Sequence, residues 1–159
     1  MQQSFRLRKF NTNDLERITC INRACLPENY SDYFFVDLHR RFPETFIVAE
    51  ENGEVVGYIM CRIETSLSSF VFRGLTKKGH IVSVAVLPEY RRKGIGEALV
   101  VKAMESMRLY KAKHCFLEVR VTNTAAVDLY KKLGFEVSRT VRGYYTDGEG
   151  AYVMEIKLE

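Results

Sequence analysis

The residues with the clearest chemical potential form a basic stretch with two glycines, YRRKGIG at positions 90–96. It lies between an apolar run at residues 80–88 and an amphipathic run at residues 97–110. The apolar run is typical of a strand and the amphipathic run of a helix, so the basic stretch falls where a strand becomes a helix. Such a junction is either a solvated turn that needs flexible backbone or a site built to hold an anion.

The anion interpretation rests on the start of the predicted helix. The first turn of a helix has unpaired backbone N–H groups and a partial positive charge, which suit phosphate. Gly94 and Gly96 let a ligand approach the main chain closely, and the cations at residues 91–93 add positive charge. Leu99 replaces the third glycine of a dinucleotide fingerprint, and no Walker A motif is present, so neither NAD nor ATP is indicated.

Length and composition are those of an ordinary globular protein. We expect the 159 residues to form one domain, residues 1–159, since that length can bury a sizeable core. With 24 Lys and Arg against 20 Asp and Glu, the net charge of +4 is too small to indicate a specific nucleic-acid partner. The polar N-terminus is unlike a signal peptide, and no apolar run approaches the ~20 residues of a membrane span. We therefore expect a cytoplasmic protein that binds no membrane.

The thiols and imidazoles do not suggest a metal site. The four cysteines, Cys20, Cys25, Cys61 and Cys115, contain no C-x-x-C pair and lie in apolar surroundings. We expect them to be buried free thiols, and the three histidines form no cluster of ligands. The sequence therefore predicts a metal-free protein.

Hydrophobic periodicity predicts a single mixed α/β domain with the element order β-α-α-β-β-β-α-β-α-β-β. Asn52-Gly53 between two β-rich runs indicates a hairpin. Residues 67–79 are predicted to be a polar connection, and residues 80–87 a central strand that is apolar on both faces. A strand at residues 115–121 and a helix capped by Asn123 follow.

Two motifs together resemble a known family. The first, R-x-x-G-x-G, is formed by Arg91, Gly94 and Gly96 between a strand and a helix. The second, N-x-x-A-x-x-L-Y-x-x-x-G-F, begins at Asn123 and ends at Phe135. The pair is similar to the acetyl-coenzyme A signature of the GNAT acetyltransferase superfamily, and the resemblance extends over nearly the whole chain.

Shorter segments narrow the resemblance. These are LPENY at residues 26–30, GHIVSVAV at residues 79–86, LEVRVTN at residues 117–123 and GYYTDGEGAY at residues 143–152. They look like the catalytic subunit of NatA-type protein N-terminal acetyltransferases. The likeness is to archaeal members that act alone, with bacterial ribosomal-protein-alanine acetyltransferases as cousins.

The resemblance implies a GNAT fold, a single mixed sheet of about seven strands flanked by four helices, with strands 4 and 5 parallel and splayed. Acetyl-coenzyme A would thread between those two strands, and no metal would be needed. The residues implied in binding it are Val84, Val86, Arg91, Arg92, Lys93, Gly94, Ile95, Gly96, Glu97, Asn123 and Tyr130. Without the resemblance, Asn123 would be interpreted as a helix cap and Tyr130 as a core aromatic residue.

The resemblance also implies that a protein's α-amine attacks the acetyl group directly in a ternary complex, with Tyr130 as the acid near the sulfur. Glu28 is our first candidate for the base, because apolar and aromatic neighbours favour proton uptake by a carboxyl group. Glu118 is second; it shares a strand face with Arg120, and a cross-strand pair with a cation is the alternative. His80 is third, with a polar strand end as the alternative.

The expected acceptor is a protein or peptide N-terminus, and the ribosome is a further partner that the resemblance leaves open. For the tyrosines of the implied peptide site, Tyr30, Tyr144 and Tyr145, the alternative role is ordinary packing. The N-terminal half has no obvious large apolar surface, so we expect a monomer. The implied peptide site consists of Leu26, Pro27, Glu28, Tyr30, Tyr144 and Tyr145.

Two other functions remain open. An acetyltransferase could act on lysine or on a small amine, although we find no acidic acceptor pocket of the kind that small-amine enzymes need. A module without enzymatic activity could sense coenzyme A, or dock on the ribosome or nucleic acid through the cations at residues 91–93 and 73–78. Such a module would not need Glu28 or Tyr130 and would transfer no acetyl group.

Overall fold

The elements follow one another in the order that the sequence predicts. The computed structural model describes residues 4–67 and 75–159. The helices are α1 Leu15–Cys25, α2 Asp32–Arg41, α3 Ile95–Met107 and α4 Thr124–Lys132. The strands are β1 Arg6–Lys9, β2 Phe46–Glu51, β3 Glu54–Leu67, β4 Leu75–Val86, β5 His114–Arg120, β6 Glu136–Val141 and β7 Ala151–Lys157.

All seven strands belong to one sheet, in the order β1-β2-β3-β4-β5-β7-β6. Neighbouring strands are antiparallel except β4 and β5, which are parallel. Asn52 and Gly53 join β2 to β3 with φ angles of 51° and 79°, the left-handed conformation that a two-residue hairpin turn requires. The predicted fold, a mixed sheet of about seven strands with four helices, is confirmed.

Strands β4 and β5 pair over a short distance and then part. Residues 78–80 of β4 pair with residues 114–116 of β5. Beyond this point the described part of β4 pairs only with β3, and that of β5 only with β7. The parallel pair is therefore splayed, as predicted, and the gap opens toward the C-terminal ends of both strands.

Side chains alternate between the two faces of β5. Cys115, Leu117 and Val119 are buried, whereas Glu118 and Arg120 are half-buried on the opposite face. This alternation is what a strand with period two requires, and it places the carboxylate and the guanidinium side by side, as the sequence predicts.

The helices bury the two faces of the sheet. Helices α1 and α2 pack one face against residues of β2 and β3, and helices α3 and α4 pack the other against β3, β4 and β5. Burying each large apolar side chain contributes roughly 1.5–3 kcal/mol, so each helix is held mainly by its apolar face. The most buried side chains on the helices are Ile18, Ile21, Phe35 and Leu38 on the first face and Ile95, Leu99, Val100 and Met107 on the second.

The predicted polar connection at residues 67–79 is wrong for residues 75–79, because β4 begins at Leu75, and residues 68–74 lie outside the described residues. Its first residues extend the hairpin with β3, where Lys78 lies opposite Glu64 and Lys77 opposite Thr65. Polar side chains on both strands removed the apolar signal that marks a strand. Of the basic segment at residues 73–78, residues 73 and 74 lie outside the described residues, and the rest belongs to β4.

The cysteines differ in burial. Cys61 and Cys115 are buried, and burial raises the pKa of both thiols. The expectation of burial is wrong for Cys20, which is exposed, and for Cys25, which is half-buried.

Two further observations apply to the part of the chain that the structure describes. None of its helices combines the length and the apolar composition that crossing a membrane would take. None of its groups of His, Cys, Asp and Glu brings together three side chains that could hold a metal ion.

Gly79 lies where β4 and β5 pair, opposite Cys115. A Cβ atom at this position would overlap the side chain of Met107, which is fully buried in α3. We predict that Gly79→Ala lowers the free energy of unfolding by about 1–3 kcal/mol, measured by urea denaturation.

The matched control for this prediction is Met107→Ala, alone and combined with Gly79→Ala. The double variant removes the atoms that overlap. Its free energy of unfolding should therefore fall by clearly less than the sum of the decreases in the two single variants. Additive losses, or a single Gly79→Ala variant as stable as the unaltered protein, would contradict the packing described here.

Candidate active site

A cleft of about 690 Å³ opens where β4 and β5 part. It runs from the parted strands to the start of α3 and is bounded on its far side by α4. Its lining includes every residue predicted to bind the cofactor except Lys93. The lining residues are Cys25, Leu26, Val84, Ala85, Val86, Tyr90, Arg91, Arg92, Gly94, Ile95, Gly96, Glu97, Val100, Asn123, Ala125, Ala126, Leu129 and Tyr130.

The main chain of β4 is accessible on the side of the cleft. The Leu87 N–H donates to the Val56 carbonyl of β3 at 2.9 Å. Since main-chain groups alternate in direction along a strand, those of Val84 and Val86 point away from β3, toward the gap. The Val86 carbonyl there accepts from Arg91 Nε at 2.8 Å and from Cys25 Sγ at 3.6 Å.

The start of α3 forms the other end of the cleft. Gly94 is the N-cap, with a φ of 85°, a conformation that favours glycine. The first helical hydrogen bond runs from the Ala98 N–H to the Gly94 carbonyl at 3.0 Å, so the N–H groups before Ala98 have no partner within the helix. Lys93 lies apart from the lining, with its Nζ 3.4 Å from Glu51 and 5.3 Å from the ring centroid of Tyr90.

Four residues of the second motif line the cleft, the helix cap Asn123 and, from α4, Ala126, Leu129 and Tyr130. The Asn123 side chain caps this helix by accepting from the Ala126 N–H at 3.3 Å, and the residue also lines the cleft. Tyr130 is buried and lies edge-to-face with Phe135 at 5.7 Å between ring centroids. Burial, and next to it Cys115 and Cys61, raise the pKa of Tyr130 well above its ordinary value. Its hydroxyl therefore keeps its proton at neutral pH.

His80 and Glu118 form a hydrogen-bonded pair in the region where β4 and β5 separate. His80 Nε2 lies 2.6 Å from Glu118 Oε2. The ring of His80 stacks on Phe116 at 4.4 Å between centroids, and its side chain is 10% exposed. The pair can exchange a proton internally, and it lies on the sheet face that also carries Arg120. The cross-strand partner of Glu118 is thus a histidine rather than a lysine or arginine.

Glu28 lies in a loop whose course follows from the local sequence. Pro27 disfavours helical backbone at Leu26, which is extended with φ −130° and ψ 140°, and α1 ends there. Glu28 Oε1 accepts from Arg120 Nη2 at 2.7 Å, so an ion pair joins the α1–α2 loop to β5.

Arg120 is a central residue that the sequence did not single out. Besides Glu28, its Nη1 donates to Asp147 at 2.8 Å and to Glu149 at 2.7 Å, and its guanidinium lies 4.0 Å from the ring centroid of Tyr145. One side chain thereby ties the α1–α2 loop to the β6–β7 loop. The only available signal was a cation on the face of Glu118, followed by acidic residues about thirty positions later.

These ion pairs are formed throughout the neutral range. Hydrogen bonds from the Glu149 amide and then from Arg120 lower the pKa of Asp147. Hydrogen bonds from Thr122 and then from Arg120 lower the pKa of Glu149. Because both pKa values are depressed, the loops lose these contacts only as the pH falls into the acidic range in which the carboxylates become protonated.

Asn22 is a second residue that the sequence analysis missed. It is fully buried in α1, where its Nδ2 donates to the Glu28 carbonyl at 3.1 Å and its Oδ1 accepts from the Tyr30 N–H at 3.2 Å. Its Nδ2 also lies 3.1 Å from the Tyr58 hydroxyl, which in turn lies 2.7 Å from the hydroxyl of Ser83 in β4. The loop is thus fixed by its main chain as well as by the Glu28 side chain.

Three tyrosines surround the opening beside this loop. The Tyr30 ring stacks on Phe34 at 4.9 Å, and its hydroxyl donates to the Val82 carbonyl at 3.4 Å. Tyr144 and Tyr145 lie edge-to-face at 4.9 Å, with Tyr144 47% exposed. Burial, together with nearby Glu28 or Glu118, raises the pKa of all three hydroxyls.

The arrangement joins two kinds of chemistry. At one end, unpaired helical N–H groups and arginines suit a phosphate-bearing ligand, and the parted β4 offers main-chain groups to an extended chain. At the other end, a histidine–carboxylate pair that can accept a proton lies beside an opening walled by aromatic residues. A ligand that extends from the start of α3 along β4 would have its far end near the His80–Glu118 pair.

Comparisons with known proteins agree with this arrangement. The family model described as "Acetyltransferase (GNAT) family" matches residues 15–135. An N-alpha-acetyltransferase of Sulfurisphaera tokodaii is 49% identical over 158 residues, covering 98% of this chain and 95% of the relative. The crystal structure of Ard1 from Thermoplasma volcanium superposes with a TM-score of 0.81 at 32% identity, covering 98% and 99% of the two chains. A chain of the NatC complex bound to Gag peptide and coenzyme A gives a TM-score of 0.87 at 26% identity, covering 98% and 99%. This chain therefore belongs to the GNAT family of acetyltransferases.

Proposed function

We propose that this protein transfers acetyl from acetyl-coenzyme A to the α-amino group of protein N-termini. The observation that carries the proposal is a cleft that runs from an anion-binding helix start along the parted β4. The His80–Glu118 pair lies where β4 and β5 begin to separate. Relatives that are 43–49% identical to this chain are N-alpha-acetyltransferases, and the matches cover 92–95% of their lengths. Acetyl-coenzyme A is the cosubstrate, and the chemistry needs no metal.

The residues around the cleft fit the parts of acetyl-coenzyme A. The N–H groups at the start of α3 and the side chains of Arg91 and Arg92 would hold the pyrophosphate. The main-chain groups of Val84 and Val86 point into the gap and would pair with the amide-bearing pantetheine arm, with Asn123 on its other side. Lys93, turned toward Glu51, would contribute only to the surrounding positive potential.

We assign the base to His80 and Glu118 rather than to Glu28. The pair shares a proton across 2.6 Å, whereas Glu28 Oε1 is held by Arg120. A carboxylate bound to a guanidinium is stabilised in its charged form and is the weaker base. Glu28, Arg120 and the three tyrosines would instead shape the peptide opening and orient the first residues of the substrate.

Acetyl transfer removes two protons from the ammonium nitrogen and returns one to the sulfur. The α-ammonium group loses a proton to the His80–Glu118 pair, and the free amine attacks the acetyl carbon. The carbon–sulfur bond breaks, the new amide loses its second proton, and the sulfur takes up one proton. Tyr130, kept protonated by burial, would donate a hydrogen bond or that proton to the sulfur. One proton is released overall for each ammonium group acetylated.

This site suits an α-amine better than a lysine. The unperturbed pKa of an α-amine is about 7.7–8.0, against about 10.4 for lysine. The difference of roughly 2.4 units makes deprotonation of lysine about 3 kcal/mol more costly at neutral pH. A histidine–carboxylate pair therefore has less work to do on an N-terminus than on a lysine.

Further parts of the proposal concern the whole chain. We propose that residues 1–159 form one domain that acts in the cytoplasm as a monomer, with protein N-termini as its partners. Among the described residues, large exposed apolar side chains are few and scattered, which supports a monomer. The cations at residues 91–93 leave docking on the ribosome open as a further interaction.

The direct test compares two peptides of the same sequence, one with a free N-terminus and one with a blocked N-terminus and a lysine. We predict that only the first gains an acetyl group rapidly, with acetyl-coenzyme A required, as measured by mass spectrometry. Faster acetylation of the blocked lysine peptide would favour the lysine acetyltransferase instead. Binding of acetyl-coenzyme A without transfer to either peptide would favour the non-enzymatic module.

Single substitutions distinguish the candidate bases. We predict that His80→Gln and Glu118→Gln each lower kcat roughly 10²-fold, because either change removes proton transfer through the pair. The double variant should be little worse than either single variant, since the two residues act as a unit. Glu28→Gln should lower kcat less and raise KM for the peptide more.

Glu136→Gln, on the exposed strand β6, is the control for the loss of one negative charge. Binding of acetyl-coenzyme A, measured by calorimetry, should be similar in all variants. A near-complete loss of kcat in Glu28→Gln, with normal kcat in the His80 and Glu118 variants, would reverse the assignment.

A further inference from the structure

A buried amide in α1 holds the main chain of the α1–α2 loop. Asn22 Nδ2 donates to the Glu28 carbonyl at 3.1 Å, and Asn22 Oδ1 accepts from the Tyr30 N–H at 3.2 Å. Because only the oxygen of the amide can accept from a main-chain N–H, these two contacts fix which way the amide points. One side chain thus spans the loop main chain on both sides of Asn29.

The same amide is anchored to β4 through the sheet. Asn22 Nδ2 also lies 3.1 Å from the Tyr58 hydroxyl, which lies 2.7 Å from Ser83 Oγ. An amide nitrogen only donates, so the Tyr58 oxygen accepts from Asn22 and its own O–H is left to donate to Ser83. Burial raises the pKa of Tyr58 to about 12, so the hydroxyl keeps that proton at neutral pH. A directed chain of hydrogen bonds therefore joins the loop to β4.

The anchor lies on the part of β4 that borders the cleft. Ser83 directly precedes Val84, which lines the cleft. On the other side of Ser83, the Val82 carbonyl accepts from the Tyr30 hydroxyl at 3.4 Å. The loop is therefore attached to β4 at two neighbouring residues, once through the buried amide and once through the Tyr30 ring. These contacts set the distance between the loop and the strand.

Burial makes the amide a stronger hold on the loop than the ion pair between Glu28 and Arg120. Asn22 and Tyr58 are fully buried, so a polar group that lost its partner there would stay unsatisfied. The side chains of Glu28 and Arg120 are 36% and 18% exposed, and water can replace part of their interaction. The position of the loop main chain therefore depends mainly on Asn22.

We propose that Asn22 is a positioning residue that holds the peptide-binding loop at a fixed distance from β4, with Tyr58 and Ser83 as its anchor. The proposal rests on the proposed function, in which Glu28 and Tyr30 border the peptide opening and acetyl-coenzyme A lies along β4. The distance between loop and strand then determines how closely the α-amine approaches the acetyl carbon. Because Asn22 is buried, it acts through the loop, so it supports peptide binding and leaves cofactor binding unaffected.

Kinetics separate this role from a purely structural one. Asn22→Ala should raise KM for a peptide with a free N-terminus on the order of 10-fold and lower kcat, because a misplaced loop no longer orients the amine. The Kd for acetyl-coenzyme A, measured by calorimetry, should stay within about two-fold, because Asn22 acts only through the loop. Tyr58→Phe removes only the anchor and should raise the peptide KM less.

Two further variants complete the kinetic test, at a temperature at which circular dichroism shows every variant to be folded. Ile18→Val, one turn earlier in α1 and fully buried, loses one methyl group and no hydrogen bond. It is the control for a general loss of stability and should leave the peptide KM unchanged. Combining Asn22→Ala with Glu28→Gln should raise KM by less than the product of the single effects, since both act through one loop.

Amide hydrogen exchange, followed by NMR, gives a readout that needs no turnover. The Tyr30 amide should exchange on the order of 10-fold faster in Asn22→Ala than in the unaltered protein, because its acceptor is lost. Tyr58→Phe, which keeps that acceptor, should speed the exchange less. The Leu87 amide, bonded to the Val56 carbonyl, reports any global unfolding and should exchange at the same rate in all variants.

A peptide KM in Asn22→Ala that rises no more than in Ile18→Val would overturn the proposal. Equal losses of affinity for peptide and for acetyl-coenzyme A, or an unchanged exchange rate at Tyr30, would do the same. If Asn22→Ala does not fold, Tyr58→Phe decides by the same criteria. Absence of acetyl transfer to the free N-terminus by the unaltered protein would contradict the proposed function instead, and the exchange rate at Tyr30 would still test the hold on the loop.

Discussion

The separation of β4 and β5 after a few paired residues is the constraint on which the rest of the structure depends. Parallel strands normally continue their hydrogen-bond ladder, and here the main-chain groups of Val84 and Val86 face a gap instead. The gap persists because each strand has a full partner on its other side, β3 for β4 and β7 for β5. An extended ligand with amide groups can complete the ladder, because none of the described strands pairs with β4 on this side beyond His80.

Function at the open end depends on charges held in fixed pairs. Arg120 joins Glu28 of the α1–α2 loop to the β6–β7 loop. Asn22 fixes the main chain of the α1–α2 loop, and His80 is hydrogen-bonded to Glu118. Glu28, Arg120, Asn22 and the His80–Glu118 pair therefore have partners before a substrate arrives. Pre-formed sites of this kind need less reorganisation when the transition state is reached.

Sequence reasoning succeeded where one local signal decides the outcome. The element order, the hairpin at Asn52 and Gly53, the cap at Asn123 and the grouping of residues 84–97 around one cleft followed from periodicity, turn chemistry and the resemblance. It failed where partners far apart in the chain decide. The polar start of β4 is a strand because β3 pairs with it, and Glu28 is not free because Arg120, ninety-two positions later, binds it. The burial of Asn22 gave no sequence signal at all.

The central claim, that acetyl-coenzyme A completes the interrupted ladder beside β4, is tested most directly by amide hydrogen exchange measured residue by residue by NMR. On addition of acetyl-coenzyme A, exchange should slow at Val84, Val86 and the first-turn amides of Ile95, Gly96 and Glu97. Ala85 serves as the internal control, because its main-chain groups point to β3 and are already paired. Protection at these sites with little change at Ala85 is the predicted result. Saturating acetyl-coenzyme A that leaves Val84, Val86 and the start of α3 unprotected would contradict the account.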